Sequence, residues 1–161
     1  MSNIPADYSN VSTKLKVRFK ELTDDNFDNN KISNADIAEK IGVDKSVISN
    51  IVNYDIIPSV PSLIKIADYF NVSLEFLLGK TDSDDFIKSS SPSAFGVRIL
   101  QLKDEQKYKF ADITNKCSFS RNSIHVWIKR NNVPSLVYLF ELANFFNVSP
   151  DYLLGRTDYR N

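Results

Sequence analysis

The chain has 161 residues, and its 42% hydrophobic content is that of a globular protein with one core or two small ones, not of a disordered chain. Twenty basic and 20 acidic residues cancel, so the overall charge gives no sign of a nucleic-acid partner. A single cysteine excludes an internal disulfide, and no apolar run approaches the roughly 18 residues of a membrane span, so we expect a cytoplasmic protein without a membrane partner.

The basic residues are unevenly distributed along this neutral chain. Eight basic residues stand against three acidic ones between Gly96 and Pro134. A smaller basic cluster between Lys14 and Lys20 is followed at once by Asp24, Asp25 and Asp28. Taken alone, either cluster fits a solvated helix face as well as a binding surface.

Five short helices are predicted in the first half of the chain, and three of them have clear signals. The second begins near Ser33, which can cap it, and ends at Gly42, which suits a left-handed turn. The third begins at Asp44, and the fourth can be capped by Ser59. Their predicted buried faces carry Val47, Ile48 and Ile51 in the third helix and Leu63, Ile66, Ala67 and Phe70 in the fourth.

The chain repeats itself at an offset of 76 residues. The segments 72–73 and 77–79 recur as 148–149 and 153–155, and 18 of the 48 positions from 35 to 82 are identical to their counterparts. Two unrelated segments of this composition would share only a few positions. The sequence therefore predicts a duplication.

The repeat sets the predicted domain boundaries at 8–82 and 95–158. Arg18 corresponds to Arg98, so the first copy carries four extra residues within Thr23 to Lys31. Ser83 to Ala94 is rich in Ser, Asp and Pro and predicts a flexible linker between the copies. In the second copy a final helix is predicted to begin at Ser149-Pro150-Asp151 and to end at Gly155.

The closely spaced second and third helices, joined across Ile41-Gly42-Val43, form a helix-turn-helix pattern. Together with 33–43, Ile48-Ser49, 58–67 and 72–79, this pattern resembles the phage Cro and repressor (XRE) family. The second copy resembles the family through Ile113, Ile124, Trp127, 134–143 and 148–155. The resemblance implies an all-α fold of two five-helix, lambda-repressor-like helix-turn-helix domains in tandem.

In this family the third helix enters the major groove of DNA, while the second crosses the backbone. The resemblance therefore implies a base-reading face at Lys45, Ser46, Ser49 and Asn50, with Asn34 near a phosphate. In the second copy the same positions hold Arg121, Asn122, His125 and Val126, with Lys129 and Arg130 just beyond. Arg and Lys can donate to guanine, and Asn can pair with adenine through two hydrogen bonds.

The second copy departs from the family pattern at several positions. Ser118 replaces Gly42. Lys109-Phe110 stands where the family usually has Thr-Gln, so the sequence does not decide whether the second helix of this copy contacts a phosphate. Trp127 and Cys117 are predicted to be core residues. His125, the only histidine, is either a DNA contact or an idle surface residue.

The residues favour DNA binding over catalysis. No metal-ligand spacing, phosphate-binding loop or nucleophile motif is present, so we expect neither an enzyme nor a cofactor. The leading hypothesis is a sequence-specific regulator of transcription, a repressor of phage or mobile-element type, that binds double-stranded DNA and can form a homodimer. The alternative is a protein-interaction or dimerisation module in which one or both copies no longer bind DNA.

Overall fold

The computed structural model describes residues 10–28 and 31–161, and the regular secondary structure in that part of the chain is entirely helical. The predicted all-α class is confirmed. The described residues divide into two compact units, 10–86 and 87–161, with five helices each. The helices of the first unit are α1 (Val11–Asn26), α2 (Asn34–Ile41), α3 (Lys45–Tyr54), α4 (Val60–Phe70) and α5 (Leu74–Leu77). Those of the second are α6 (Phe95–Glu105), α7 (Phe110–Lys116), α8 (Arg121–Arg130), α9 (Leu136–Phe146) and α10 (Pro150–Leu153). The predicted domain start at residue 8 lies outside the described residues.

The predicted helix boundaries of the first unit are confirmed by their caps. The Ser33 hydroxyl accepts from the Asp36 N–H at 3.2 Å, and the Asp36 carboxylate accepts from the Ser33 N–H at 3.1 Å. This reciprocal pair is a capping box. Asp44 caps α3 by accepting from the Ser46 N–H at 2.8 Å, and Ser59 caps α4.

The core of the first unit contains the predicted apolar faces. Ile48 and Ile51 of α3 are buried, as are Leu63, Ile66 and Ala67 of α4. The predicted members Val47 and Phe70 are half-buried. Leu15 and Phe19 of α1 are also buried and complete this core.

The core of the second unit contains a cluster of aromatic side chains. Trp127 is 9% exposed, and its ring meets those of Phe95 and Phe119 edge-on at centroid distances of 6.3 and 5.0 Å. Such edge-to-face pairs stabilise a core by more than the burial of their apolar area alone would. The prediction that Trp127 is a core residue is confirmed.

An arginine makes the same contacts at repeat-related positions in both units. The Arg18 guanidinium lies 3.9 Å from the centroid of the Phe76 ring and 3.1 Å from an Asp82 oxygen. Arg98 repeats this with the Tyr152 ring at 4.1 Å and Asp158 at 3.1 Å. In each unit the contact joins the first helix to the residues at and after the fifth, so the sequence repeat extends to tertiary contacts.

The predicted linker is divided between the units. Residues 83–86 belong to the first unit, whereas the segment from Ile87 belongs to the second. Ser89 is buried, donates its N–H to the Arg156 carbonyl at 2.8 Å, and donates its hydroxyl to Asp158 at 2.8 Å. The Thr157 hydroxyl donates to the Ile87 carbonyl at 2.8 Å. The second half of the predicted linker is thus held by hydrogen bonds, because its polar groups meet partners about 70 residues later in the chain.

Candidate nucleic-acid interface

The turn between α2 and α3 depends on a left-handed glycine. Gly42 has φ +88°, and its N–H and that of Val43 both donate to the Ala38 carbonyl, at 2.8 and 3.0 Å. The Lys65 ammonium of α4 donates to the Gly42 carbonyl at 3.2 Å. Gly42 therefore ends α2 and, through its carbonyl, connects the turn to α4.

Replacing Gly42 with alanine should destabilise the first unit by about 1 kcal/mol, because an L side chain is disfavoured at positive φ. No atom lies within 4 Å of the added Cβ, so the cost is conformational and not a clash. Denaturant unfolding followed by circular dichroism measures this change. The control is Glu39→Ala, an exposed helical position where alanine is favourable. An unchanged stability in Gly42→Ala would contradict the prediction.

The turn between α7 and α8 is built differently at the same place in the repeat. Cys117 ends α7 with extended backbone, φ −115° and ψ 164°. Ser118, the counterpart of Gly42, donates its N–H and its hydroxyl to the two Glu141 oxygens at 3.1 and 2.5 Å. Glu141 is the counterpart of Lys65. The α9 carboxylate of Glu141 thus takes the place of the α4 ammonium of Lys65. At the turn, the N–H and hydroxyl donors of Ser118 take the place of the Gly42 carbonyl acceptor, which explains why serine stands at this position.

Cys117 is half-buried rather than fully buried as predicted. Burial and, to a smaller extent, the negative charge of Glu141 raise the pKa of its thiol to about 11. Because the thiolate is the reactive form, only about one thiol in a thousand is reactive at pH 8.

We therefore expect slow alkylation of Cys117 by iodoacetamide at pH 8 in the folded protein, with a rate that rises about tenfold per pH unit up to about pH 11. Glu141→Gln should lower the thiol pKa and speed the reaction at pH 8, because it removes the nearby negative charge. Protein unfolded in urea provides the fast reference rate. Equal rates in folded and unfolded protein at pH 8 would contradict this expectation.

The predicted reading residues of the first unit lie on one side of α3. Lys45 and Ser46 are exposed, and Ser49 and Asn50 are half-buried, opposite the buried Ile48 and Ile51. The side-chain amide of Asn53 donates to the Ser49 hydroxyl at 3.3 Å, so Asn53 shares this side of the helix. Asn34 is half-buried in the first turn of α2. Asn53 is not among the residues predicted from the sequence, although its spacing of four from Ser49 signals the same face.

The predicted residues of the second unit are also brought together, on α8. Arg121, Asn122, His125, Lys129 and Arg130 are all exposed, and Val126 is half-buried. Ile124 and Trp127 are buried on the opposite side of this helix. The exposed side of α8 therefore offers three cationic side chains, an amide and an imidazole to one partner.

An aromatic contact at the start of α7 is not among the features predicted from the sequence. The half-buried Phe110, which replaces Asn34, lies with its ring centroid 4.8 Å from that of His125. The Arg121 guanidinium and the Lys103 ammonium lie 5.9 and 5.0 Å from the same centroid. His125 is therefore not isolated, because it packs on Phe110. The signal was the apolar residue at a position where the first copy has an amide.

The two units differ in charge. Residues 10–86 contain nine basic and 13 acidic residues, whereas residues 87–161 contain 11 basic and six acidic ones. The two helices that carry the predicted reading residues differ in the same way. The first of them, α3, ends in Tyr54, which is 67% exposed, whereas α8 ends in the cation Arg130. The second unit is therefore the more favourable surface for a polyanion.

Comparison with known proteins places part of this geometry in a family. Residues 28–77 match the family model described as Helix-turn-helix. Comparisons with curated proteins and with solved structures find no match. In the part of the chain that the structure describes, no helix is both long and apolar enough to cross a membrane. The matched residues contain α2, the glycine turn and α3, and they are similar to a helix-turn-helix domain of the XRE type, the kind carried by DNA-binding regulators of transcription.

Proposed function

We propose that this chain is a sequence-specific regulator of transcription, a repressor and not an enzyme, that binds double-stranded DNA through both α3 and α8. The family match of residues 28–77 supports DNA binding by the first unit. For the second unit, the proposal rests on the repeat and on the side chains that α8 exposes.

The observation that carries the proposal is the exposed side of α8. Its donors are of the types that read base edges: Arg121 can bond to guanine O6 and N7, and Asn122 can pair with adenine. Lys129 and Arg130 follow at the end of the helix, where cations suit phosphate contacts. Burial of Ile124 and Trp127 fixes which side of α8 faces outward.

The two units read different bases. Lys45 and Arg121 are counterparts, and both can recognise guanine, but Ser46 and Asn122 differ, as do Asn50 and Val126. A single chain therefore acts as the covalent counterpart of a dimer and prefers a site with two unequal halves. Pairing of two identical domains on a palindrome is the usual arrangement for single domains of this fold.

The test is selection of bound sequences from a random pool of double-stranded DNA by the purified full chain, followed by a footprint and the stoichiometry of the complex. The expected result is one chain on two adjacent, non-identical segments. No enrichment of any sequence would refute specific DNA binding. Two chains on a perfect palindrome, each protecting one segment, would refute the use of both units.

A second candidate function applies to the first unit alone, and its acidic balance favours it. With 13 acidic against nine basic residues, the region 10–86 repels DNA at long range. In this alternative the first unit binds a protein, and only α8 contacts DNA. The variant Lys45→Ala/Asn50→Ala distinguishes the two: reduced affinity for the selected site supports reading by α3, and unchanged affinity and preference support the interaction role.

The second unit should supply most of the sequence-independent affinity. Lys129→Ala and Arg130→Ala are each expected to reduce the slope of log affinity against log salt by roughly one, because one phosphate contact is lost. Lys88→Ala is the matched control, since Lys88 is an exposed cation of the same unit outside α8. An unchanged slope in both Lys129→Ala and Arg130→Ala would place the DNA-binding surface elsewhere.

A further inference from the structure

The start of α7 holds an aromatic side chain that serves neither as a cap nor as a hydrogen-bond donor. The preceding residue, Lys109, has no side-chain acceptor, so only one half of a capping box forms: the Lys109 N–H donates to the Asp112 carboxylate at 2.7 Å. Phe110 then occupies the position at which Asn34 offers an amide in the first unit. A phenyl ring cannot bond to phosphate, so Phe110 cannot replace an amide as an anchor on the DNA backbone.

The Phe110 ring instead contacts α8. His125 packs on it at a centroid distance of 4.8 Å with a tilt of 59°, and the Arg121 guanidinium lies within the range of a cation–π contact at 5.9 Å. Arg121 and His125 are four residues apart and therefore neighbours on one side of the helix. One ring thus contacts both of these exposed side chains.

This cluster is specific to the second unit. The first-unit counterparts of Arg121, His125 and Phe110 are Lys45, Ser49 and Asn34, which provide no ring on which to pack. Lys103 of α6 adds a second cation, with its ammonium 5.0 Å from the ring centroid. Since attraction to an aromatic face is strongest for cations, the ring favours one arrangement of these side chains.

We infer that Phe110 is a positioning residue for DNA recognition by the second unit. Its ring restricts the Arg121 and His125 side chains before DNA is bound, and so strengthens base preference without touching a base. The inference rests on the proposed function. Its physical basis is that less side-chain freedom remains to be lost when Arg121 engages a base edge, and the gain is realised only where the geometry matches.

The contact can be measured first without DNA, because His125 is the only histidine of the chain. In tag-free protein, the proton NMR signals of its imidazole should be shifted by the ring current of Phe110. Phe110→Leu, which keeps an apolar side chain but removes the ring, should move them toward random-coil positions, and Phe110→Tyr should retain the shift. Signals that are unaffected by Phe110→Leu would overturn the contact.

DNA discrimination then tests the role. Arg121→Ala first identifies the base pair that Arg121 reads, because this variant loses the preference at that base pair of the selected site. Phe110→Leu should reduce preference at that base pair by about 3- to 10-fold, while the salt slope and the unfolding midpoint stay unchanged. Phe110→Tyr should restore the preference. A lower affinity on all sequences alike would indicate a merely structural role and overturn the inference.

The two hypotheses fail in different ways. If Arg121→Ala removes a base preference and Phe110→Leu leaves that preference intact, positioning by Phe110 is refuted and the proposed function stands. If the wild-type chain selects no sequence at all, the proposed function is refuted, and the inference with it.

Discussion

Replacing Asp151 with alanine is expected to lower the free energy of unfolding of the second unit by about 3–5 kcal/mol. The Asp151 carboxylate pairs with the Arg156 guanidinium, and the two side chains are only 3% and 6% exposed. A charge held away from water needs its opposite charge and its hydrogen bonds, so removing the carboxylate from a buried guanidinium costs more than breaking a surface pair.

The chain offers both a probe and a control for this measurement. Trp127 is the only tryptophan and lies in the core of the second unit, so its fluorescence follows the unfolding of that unit. The repeat-related Glu75 is half-buried in the first unit. Glu75→Ala should leave the Trp127 transition within about 0.5 kcal/mol of the wild type.

A double variant separates the charge from the packing. Asp151→Leu/Arg156→Met replaces the pair by apolar side chains and should recover part of the stability lost in Asp151→Ala, because no buried charge remains. A loss below 1 kcal/mol in Asp151→Ala would show that water reaches the guanidinium and that the pair behaves as a surface contact.

Arg121→Ala should weaken binding to the selected DNA site by about 1–3 kcal/mol, which is about 5- to 150-fold, and relax the preference at one base pair. Arg121 is exposed in the first turn of α8. Arginine makes two parallel hydrogen bonds to guanine, and the loss of both accounts for this magnitude.

Lys45→Ala is the matched variant, since Lys45 has the same position at the start of α3. Its effect should be smaller, because lysine presents a point charge where arginine presents a planar fork. Competition binding with the selected site and with single-base variants measures both. If Arg121→Ala weakens all sequences equally, Arg121 contacts only phosphate and base reading by α8 begins elsewhere.

Local signals in the sequence predicted much of the helix layout. Ser33, Asp44 and Ser149 cap their helices because a side-chain oxygen reaches an N–H two or three residues on, an interaction within one turn. Buried faces such as Ile48 with Ile51 follow from helical periodicity. Trp127 was predicted as a core residue because its counterpart Ile51 lies on such a face.

The sequence did not predict contacts between distant segments. Ser118 was noted only as a departure from Gly42, because its partner Glu141 lies 23 residues away on another helix. The Ser-rich segment after Ile87 was predicted as a flexible linker from its composition, yet Ser89 pairs with Asp158, 69 residues later. Composition describes what a segment can bond to, but not whether a partner is near it.

Sequence information alone is enough to predict the helical class, the repeat, the helix boundaries with cap signals and the candidate reading residues on α3 and α8, because these depend on neighbours within one or two helical turns or on the repeat. The folded chain is needed to show how each helix-turn-helix turn is held and that Phe110 packs on His125. Each of these depends on the distance between side chains of different helices, which neither periodicity nor capping specifies.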